Sequence, residues 1–358
     1  MKRFRELDGL RGLAAMGVVL YHFTGEQLAR YPADPLPIWN FPGGEFGVQL
    51  FFLISGFVIL MSAGSAKHPS DFVISRATRL YPAYWVSLIF GVGIAWWAQV
   101  PGVPLSPGII MANLTMVQRW FLVPNVLDVY WTLAVEMQFY VLLFALLLLT
   151  RCRLTDRLMV RVAAIWLLLA LAVAVWAFPS SHGLNPQFVA NPIKLVLNVT
   201  LAAYGPLFCA GMLAYLSRRD GRLHWMTIPA AGVAVLTTGL LQTWGDAAWV
   251  AAVCAVFLFV ALREKTRILT VAPIQWLGKI SYSLYLIHTA VGFALVHTLW
   301  PSLGRPGAVL VAIIVSMLLS WAVYEFAENR LSRWARGALT RWRDDRTAPG
   351  SPAIASDA

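Results

Sequence analysis

Charged residues and cysteines are scarce in this chain of 358 residues: 13% are charged and only three are cysteine. Cys152, Cys209 and Cys254 stand singly in or beside apolar runs, without the spacing of a metal site or of a disulfide framework. Their placement excludes a small disulfide-built domain, and we expect no bound metal. By contrast, 59% of the residues are hydrophobic and the mean hydropathy is +0.67, which predicts a multi-pass integral membrane protein rather than a soluble domain.

Acidic residues are outnumbered, which gives a formal net charge of +11 and an isoelectric point near 9.9. The excess cations cluster at the ends of apolar runs, where the positive-inside rule places them, so we do not expect nucleic acid as a partner. The clusters flank the two termini and every second connection. This asymmetry predicts cytoplasmic termini. We expect a location in the plasma (inner) membrane.

Apolar runs long enough to cross a bilayer recur along the chain and predict an all-α, polytopic helical bundle of about ten transmembrane helices. The predicted helices cover residues 7–25, 47–63, 80–98, 129–149, 158–178, 193–216, 226–243, 246–263, 274–299 and 307–329. Residues 1–330 thus form a membrane domain, and residues 331–358 form a basic juxtamembrane segment followed by a disordered tail.

Two connections on the predicted outer side, residues 26–46 and 99–128, are long and rich in proline. Long connections in a compact domain often have a function, and these two could form a lid over an outward-facing site. A simple crossing over the rim of the bundle is the alternative.

The first predicted helix contains three ionisable residues, Asp8, Arg11 and His22, in an otherwise apolar stretch. Arg11 and His22 are eleven residues apart, or three turns plus about 20°, so they leave the same face roughly 16 Å apart along the axis. Ionisable groups inside a membrane helix are costly and mark functional sites, so this face should border a protein-lined cavity. Asp8, three residues before Arg11, is placed to orient its guanidinium group.

Two further groups of polar residues have a functional and a structural interpretation. Arg76 and Arg79, at the predicted cytoplasmic end of the third helix, could clamp phosphates or could simply anchor the helix. Glu136 lies about two turns inside the fourth helix, with Thr132 and Tyr140 four residues away on either side. A carboxylate at that depth indicates function, or a hydrogen bond that ties helices together.

The last two groups lie in the final helices. Ser281, Tyr285 and His288 form one polar stripe at spacings of four and three residues, with a buried structural histidine as the alternative to a functional one. Glu328, at the inner end of the last helix, could pair with Arg11 or Arg79, or could be an ordinary interfacial charge.

Taken together, these motifs resemble the acyltransferase-3 family of membrane O-acyltransferases over residues 4–330. The resemblance rests on Arg11-x10-His22, Arg76-x-x-Arg79, Trp131-x-Leu-x-x-Glu136 and the Gly-x-x-Ser-Tyr-x-x-Tyr-Leu-x-His pattern from Gly278 to His288. One departure occurs: where the family usually has Glu-x-Pro, this chain has Glu328-Asn-Arg330.

The resemblance implies an acyltransferase for groups other than aminoacyl groups, which modifies polysaccharides or related products. The donor would be cytoplasmic acyl-CoA, most simply acetyl-CoA, used as a co-substrate with no permanently bound cofactor. The acceptor would be a hydroxyl of a sugar, glycan, glycolipid or macrolide. Arg11, Arg76 and Arg79 would bind the donor.

The resemblance also assigns roles to the remaining motif residues. His22 would be the general base, because imidazole has an unperturbed pKa near neutrality. Glu136 would orient His22 or bind the acceptor. Catalysis would also involve His288, which, with Ser281 and Tyr285, would position the thioester carbonyl or its oxyanion; Asp8, Trp131 and Tyr282 would help to orient the substrates.

A transporter or flippase for a glycan or lipid-linked precursor is the alternative from another functional class, because polar groups at mid-depth also mark permeation pathways. The sequence has no inverted repeat and no pair of broken helices in corresponding positions, which argues against it. A scaffold without activity is a third possibility, which the intact motifs disfavour.

Overall fold

The computed structural model describes residues 4–35, 37, 39–184, 191–263 and 266–347. These residues are almost entirely helical and include no β-strand. The α-helices are α1 (Arg5–Tyr21), α2 (Gln27–Arg30), α3 (Gly47–Ala63), α4 (Pro69–Trp97), α5 (Pro107–Asn113), α6 (Tyr130–Leu149), α7 (Asp156–Ser181), α8 (Asn191–Thr200), α9 (Gly205–Asp220), α10 (Thr227–Leu241), α11 (Trp244–Leu262), α12 (Ala272–Val323) and α13 (Ser332–Thr347).

Each apolar run identified in the sequence contains at least one helix, and the described residues include no strand, so the all-α prediction is confirmed. Seven helices of the described chain are long and apolar enough to cross a membrane. They do not include α1, whose ionisable residues lower its hydropathy, or α10, which is only 15 residues long. The count of about ten spans and the cytoplasmic termini stay predictions.

Several predicted helix boundaries were wrong, and each error has a local cause. The predicted helix 193–216 is divided into α8 and α9 by a turn in which Leu201 has a φ of 52°. The predicted break between helices 274–299 and 307–329 is confirmed: α12 is kinked at Gly304, which has a non-helical φ of 66° between Pro301 and Pro306. The third helix begins at Pro69 rather than residue 80, because Asp71 caps its first turn.

The chain after Arg330 continues as α13, which packs along α4. Arg343 of α13 forms an ion pair with Asp71 of α4, and Arg336 donates to the Ser75 carbonyl. The basic segment predicted after residue 330 is therefore helical and in contact with the bundle. The predicted disordered tail, from residue 348 onward, lies outside the described residues.

Close packing of α1 against α12 determines which side chains can meet at the centre of the bundle. A β-carbon on Gly12 would lie 2.6 Å from the backbone nitrogen of Gly278, and one on Gly292 would overlap the Phe23 ring. Glycine at such positions lets two helices approach until their backbones touch. As a result, the functional residues of α1 and α12 face each other directly.

Two π-helical segments occur in the described chain, and both contain motif residues. The first, His22–Glu26, continues α1, and the second, Tyr324–Leu331, continues α12 and contains Glu328. Such segments are rare and frequently lie at functional sites, because the extra residue changes where the side chains point. His22 is the first residue of its segment.

The two long connections are fastened to each other and to α12. Arg30 donates to the Pro101 carbonyl at 2.6 Å and forms an ion pair with Asp128. The buried carboxylate of Asp34 accepts hydrogen bonds from His297 at 2.8 Å and Trp300 at 3.1 Å. These contacts hold the described parts of the two connections over the same end of the bundle.

Candidate active site

His22 and His288 lie in direct contact where α1 meets α12. The Nδ1 atom of His22 is 3.3 Å from Nε2 of His288, and the two ring centroids are 4.9 Å apart. His288 is fully buried, with 0% exposure. The sequence predicted both residues as catalytic but did not predict that they form a pair.

The hydrogen bonds of the pair assign the tautomer of each neutral ring, because carbonyl oxygens only accept. Nδ1 of His288 donates to the Leu284 and Tyr285 carbonyls at 3.0 and 2.9 Å, so its Nε2 is free to accept. Nδ1 of His22 donates to the Val18 carbonyl at 2.9 Å and shares that proton with His288. The lone pair of His22 is therefore on Nε2, which makes no hydrogen bond to a described residue. A nitrogen in this state can act as a base.

His22 lines a cavity of about 540 Å³ beyond the end of α1, which we call the carboxylate cavity. Both long connections and α6 contribute to its walls. Its lining residues include His22, Glu26, Arg30, Glu45, Gln49, Asp128, Trp131, Tyr204 and Tyr285.

A second cavity of about 350 Å³, the arginine cavity, lies at the other end of α1. Its lining residues include Asp8, Arg11, Arg79, Lys279, Tyr282 and Glu328. It adjoins a groove of about 640 Å³ beside α13, the basic groove, which shares Arg79 and Glu328 with it and adds Arg333, Arg336 and Arg341. Cations outnumber carboxylates in both spaces.

A small bridging cavity of about 60 Å³ lies between these two cavities. It shares Arg11 and Tyr282 with the arginine cavity and Tyr285 with the carboxylate cavity. The polar face predicted for α1 therefore borders a series of cavities, with Arg11 at one end and His22 at the other.

Glu136 lines the bridging cavity and is held by neighbouring hydroxyl groups. It accepts hydrogen bonds from Ser55 and from Tyr140, the latter at 2.6 Å. Its charge attracts Arg11, and no described contact joins it to His22. The ring that touches His22 is His288, so the structure gives no support to Glu136 as the group that orients His22.

Arg76 and Arg79 point to different places, although the sequence treats them as one pair. Arg79 lines the arginine cavity and the basic groove. Arg76 is buried at 8% exposure, donates to Ser62 Oγ at 3.0 Å and lies 6.0 Å from the centroid of the Tyr140 ring. Since Arg76 is in neither set of lining residues, its predicted contact with phosphates has no geometric support.

The remaining predicted residues on α12 lie around the bridging cavity. Ser281, buried at 1% exposure, donates to the Gly278 carbonyl at 2.9 Å. Tyr282 donates to the Leu80 carbonyl at 3.0 Å. The hydroxyl of Tyr285 lies 2.9 Å from Thr132 Oγ1.

Asp8, Trp131 and Glu328 lie in the larger cavities. Asp8 lines the arginine cavity and attracts Arg11, as the spacing predicted. Trp131 lines the carboxylate cavity and packs near Tyr204, with ring centroids 5.0 Å apart. Glu328 accepts hydrogen bonds from Ser283 and attracts both Arg79 and Arg11, although the family's proline is missing beside it.

Several residues of the site were not identified from the sequence. Ser55 holds Glu136, and Arg30, Glu45, Gln49 and Asp128 line the carboxylate cavity. The last four lie in or beside the two long connections, which the sequence indicated only as a possible lid. No group of three or more His, Cys, Asp or Glu residues suited to a metal occurs in the described residues.

Comparison with known proteins identifies a family that covers most of the chain. A family model described as an Acyltransferase domain matches residues 4–325, nearly the whole chain. The exopolysaccharide production protein ExoZ of Rhizobium meliloti is 29% identical over 317 residues, which cover 83% of this chain and 92% of that protein.

Two other relatives are named for acyl transfer. YrhL of Bacillus subtilis, whose name marks it as a candidate peptidoglycan O-acetyltransferase, is 25% identical over 90% of this chain, which spans only 54% of YrhL. The acyltransferase MdmB of Streptomyces mycarofaciens is 32% identical over 146 residues, 38% of either chain. No solved structure matches the chain.

Proposed function

Because the chain belongs to the acyltransferase-3 family, we propose that it is a membrane O-acyltransferase that moves an acyl group, most simply acetyl, from acyl-CoA to a hydroxyl of a sugar-containing acceptor. The observation that carries this proposal is the His22–His288 pair, in which His22 lines the carboxylate cavity, at the opposite end of α1 from the cation-rich arginine cavity. The relatives named for exopolysaccharide production and O-acetylation support the acceptor class.

The arginine cavity suits the donor. Coenzyme A has several phosphates, and guanidinium groups match phosphate geometry. We assign this role to Arg11 and Arg79, with the basic groove as the entrance from the cytoplasm. Arg76 supports the donor site indirectly, by packing α4 against Ser62 of α3 and Tyr140 of α6.

The reaction follows from the tautomer of His22. Nε2 of His22 takes the proton of the acceptor hydroxyl, and the oxygen attacks the thioester carbonyl from the carboxylate cavity. Collapse of the tetrahedral intermediate breaks the carbon–sulfur bond, and the proton passes from His22 to the coenzyme A thiolate.

His288 stabilises the protonated His22 ring, because its Nε2 accepts the Nδ1 proton. Tyr285 lines both the bridging and carboxylate cavities, where it can position the thioester carbonyl.

A transporter remains the second candidate, because the three adjoining cavities also resemble a pathway along α1. The two functions separate in one assay on the purified protein in vesicles, with labelled acetyl-CoA and a sugar or lipid extract. An enzyme releases coenzyme A only when an acceptor is present, whereas a transporter moves the extract without release.

Replacement of the base tests the mechanism. His22→Ala should abolish transfer while the protein still inserts and folds, whereas His182→Ala, in an exposed position outside the cavities, should retain it. Turnover like wild type by His22→Ala would contradict the assignment. If an acyl-histidine can be trapped after mixing with donor alone, the reaction proceeds through a covalent intermediate on His22 and not by direct transfer.

A further inference from the structure

The carboxylate cavity has more negative charge than its single arginine can balance. Glu26, Glu45 and Asp128 line it together with Arg30. Arg30 is already held by Asp128 and by the Pro101 carbonyl. Glu26 and Glu45 are left without a cationic partner among the lining residues that the structure describes, and Asp246 adds to the negative field at Glu45.

Two polar side chains of this wall present oxygens for which the described part of the chain offers no hydrogen-bond partner. Glu45 lies in the 3-10 helix Pro42–Phe46 and Gln49 in the first turn of α3, four residues apart on one face. Gln49 is 92% buried, since its exposure is 8%, and its Oε1 makes no hydrogen bond within the described chain. Burial of a polar atom without a partner is costly, so Gln49 Oε1 indicates a place where a ligand completes the structure.

The unpartnered atoms are hydrogen-bond acceptors, which restricts the ligand. A carboxylate and an amide oxygen need N–H or O–H groups opposite them. Hydroxyl and ammonium groups supply such donors, whereas the carboxylate or phosphate of an anionic sugar supplies none and would be repelled by Glu26 and Glu45.

The aromatic residues of the cavity fit the same ligand class. Trp131 and Tyr204 line the cavity beside each other, and Tyr21 donates to Glu26 at 3.2 Å. Aromatic faces accept the apolar face of a sugar ring and also attract a cation. A sugar ring therefore finds aromatic side chains for its apolar face and hydrogen-bond acceptors for the hydroxyl groups along its edge.

We propose that the carboxylate cavity selects acceptors that present hydroxyl or amine donors to Glu45 and Gln49, and that it excludes anionic sugars. Glu45 is the residue that determines this charge selectivity. The inference rests on the proposed transfer to a sugar hydroxyl and specifies which sugars are acylated.

The test measures binding without donor, so its outcome does not depend on catalysis. The full-length protein in lipid nanodiscs is titrated at about pH 8.5, where the carboxyl groups of the cavity are ionised. The ligands are methyl glucosaminide, methyl glucoside and methyl glucuronide, and tryptophan fluorescence reports occupation of the cavity beside Trp131. The glucosaminide and the glucoside should bind. The glucuronide should bind at least about tenfold more weakly than either, because repulsion between two partly exposed charges weakens binding by about that factor.

Variants of Glu45 distinguish an effect of its charge on sugar binding from an effect of the shape of the cavity. Glu45→Gln should remove most of the discrimination against the glucuronide, and Glu45→Lys should reverse it, while binding of the uncharged glucoside changes less than about threefold. Glu6→Gln, at the other end of α1, is the matched control and should leave all three affinities unchanged.

Three results would overturn the inference: equal or tighter binding of the glucuronide by the wild-type protein, an equal loss for all three sugars in Glu45→Gln, or binding of none of them. Failure of the proposed function is seen separately, as turnover by His22→Ala or as acceptor movement without release of coenzyme A.

Discussion

The arginine cavity and the carboxylate cavity lie at opposite ends of one helix and differ in the sign of their charge. Arg11, Arg79 and Lys279 outnumber the carboxylates in the first, whereas Glu26, Glu45 and Asp128 outnumber Arg30 in the second. Under the proposed function, a polyanionic donor is attracted to one end and repelled from the other. If the proposal holds, α1 keeps the two substrates apart, and the segment that continues it supplies the base, His22, that acts between them.

The largest effect should come from His288, the buried residue that contacts His22 behind the carboxylate cavity. His288→Ala should lower kcat about 100-fold, because His22 then loses the acceptor of its Nδ1 proton and the orientation of its ring. His288→Gln, whose amide oxygen can accept the same proton, should recover part of the loss. A change in KM alone, with kcat intact, would place His288 outside the reaction.

The next effect distinguishes the two arginines of the Arg-x-x-Arg motif. Arg79→Ala should raise the donor KM about tenfold, which corresponds to about 1.4 kcal/mol of lost binding. Arg76→Ala should instead lower thermal stability, because Arg76 is buried against Ser62 and Tyr140, and should leave the donor KM of the folded fraction within about twofold. A larger increase in the donor KM of Arg76→Ala would indicate that Arg76 also binds the donor.

A variant of Glu136 shows whether the bridging cavity contributes to binding of the donor or of the acceptor. Glu136→Gln retains a side chain of the same size but removes the charge that attracts Arg11, so the donor KM should rise several-fold while the acceptor KM stays unchanged. Steady-state kinetics with each substrate varied in turn would measure both constants. A change confined to the acceptor would support the earlier alternative that Glu136 binds the acceptor.

The smallest effect is expected at the outer part of the donor path. Arg336 lines the basic groove and contacts the Ser75 carbonyl of α4 at 3.4 Å. Arg336→Ala should raise the donor KM about twofold to threefold at low ionic strength, because exposed charges interact weakly and are screened by salt. An effect that does not diminish as salt is added would indicate direct contact with the donor rather than attraction at a distance.

Sequence spacing predicted which residues line the site better than it predicted which residues contact one another. The eleven-residue interval from Arg11 to His22 placed both on one face of α1, and the structure gives each a cavity on that helix. The same reasoning treated Arg76 and Arg79 as equivalent, yet three residues on a helix are about 60° apart, enough for one to face a neighbouring helix and the other a cavity.

Helix boundaries were predicted where an apolar run has a clear end and missed where geometry changes inside a run. The turn at Leu201 has little signature in hydropathy and was missed, whereas the kink at Gly304 falls in the gap predicted between residues 299 and 307. The π segment at His22 was also not predicted, because one additional backbone residue leaves the apolar pattern almost unchanged.

The sequence by itself determined the all-α membrane class, the motif residues and the face of α1 that they share, because these depend on composition and helical periodicity. Only the tertiary structure decided that His22 pairs with His288, that Glu136 is held by Ser55 and Tyr140, and that Gln49 Oε1 is buried without a hydrogen-bond partner among the described residues. Those contacts join residues up to 266 positions apart, and such contacts depend on how helices cross. Here the crossing is set by glycines, such as Gly12 and Gly278, that allow α1 to touch α12.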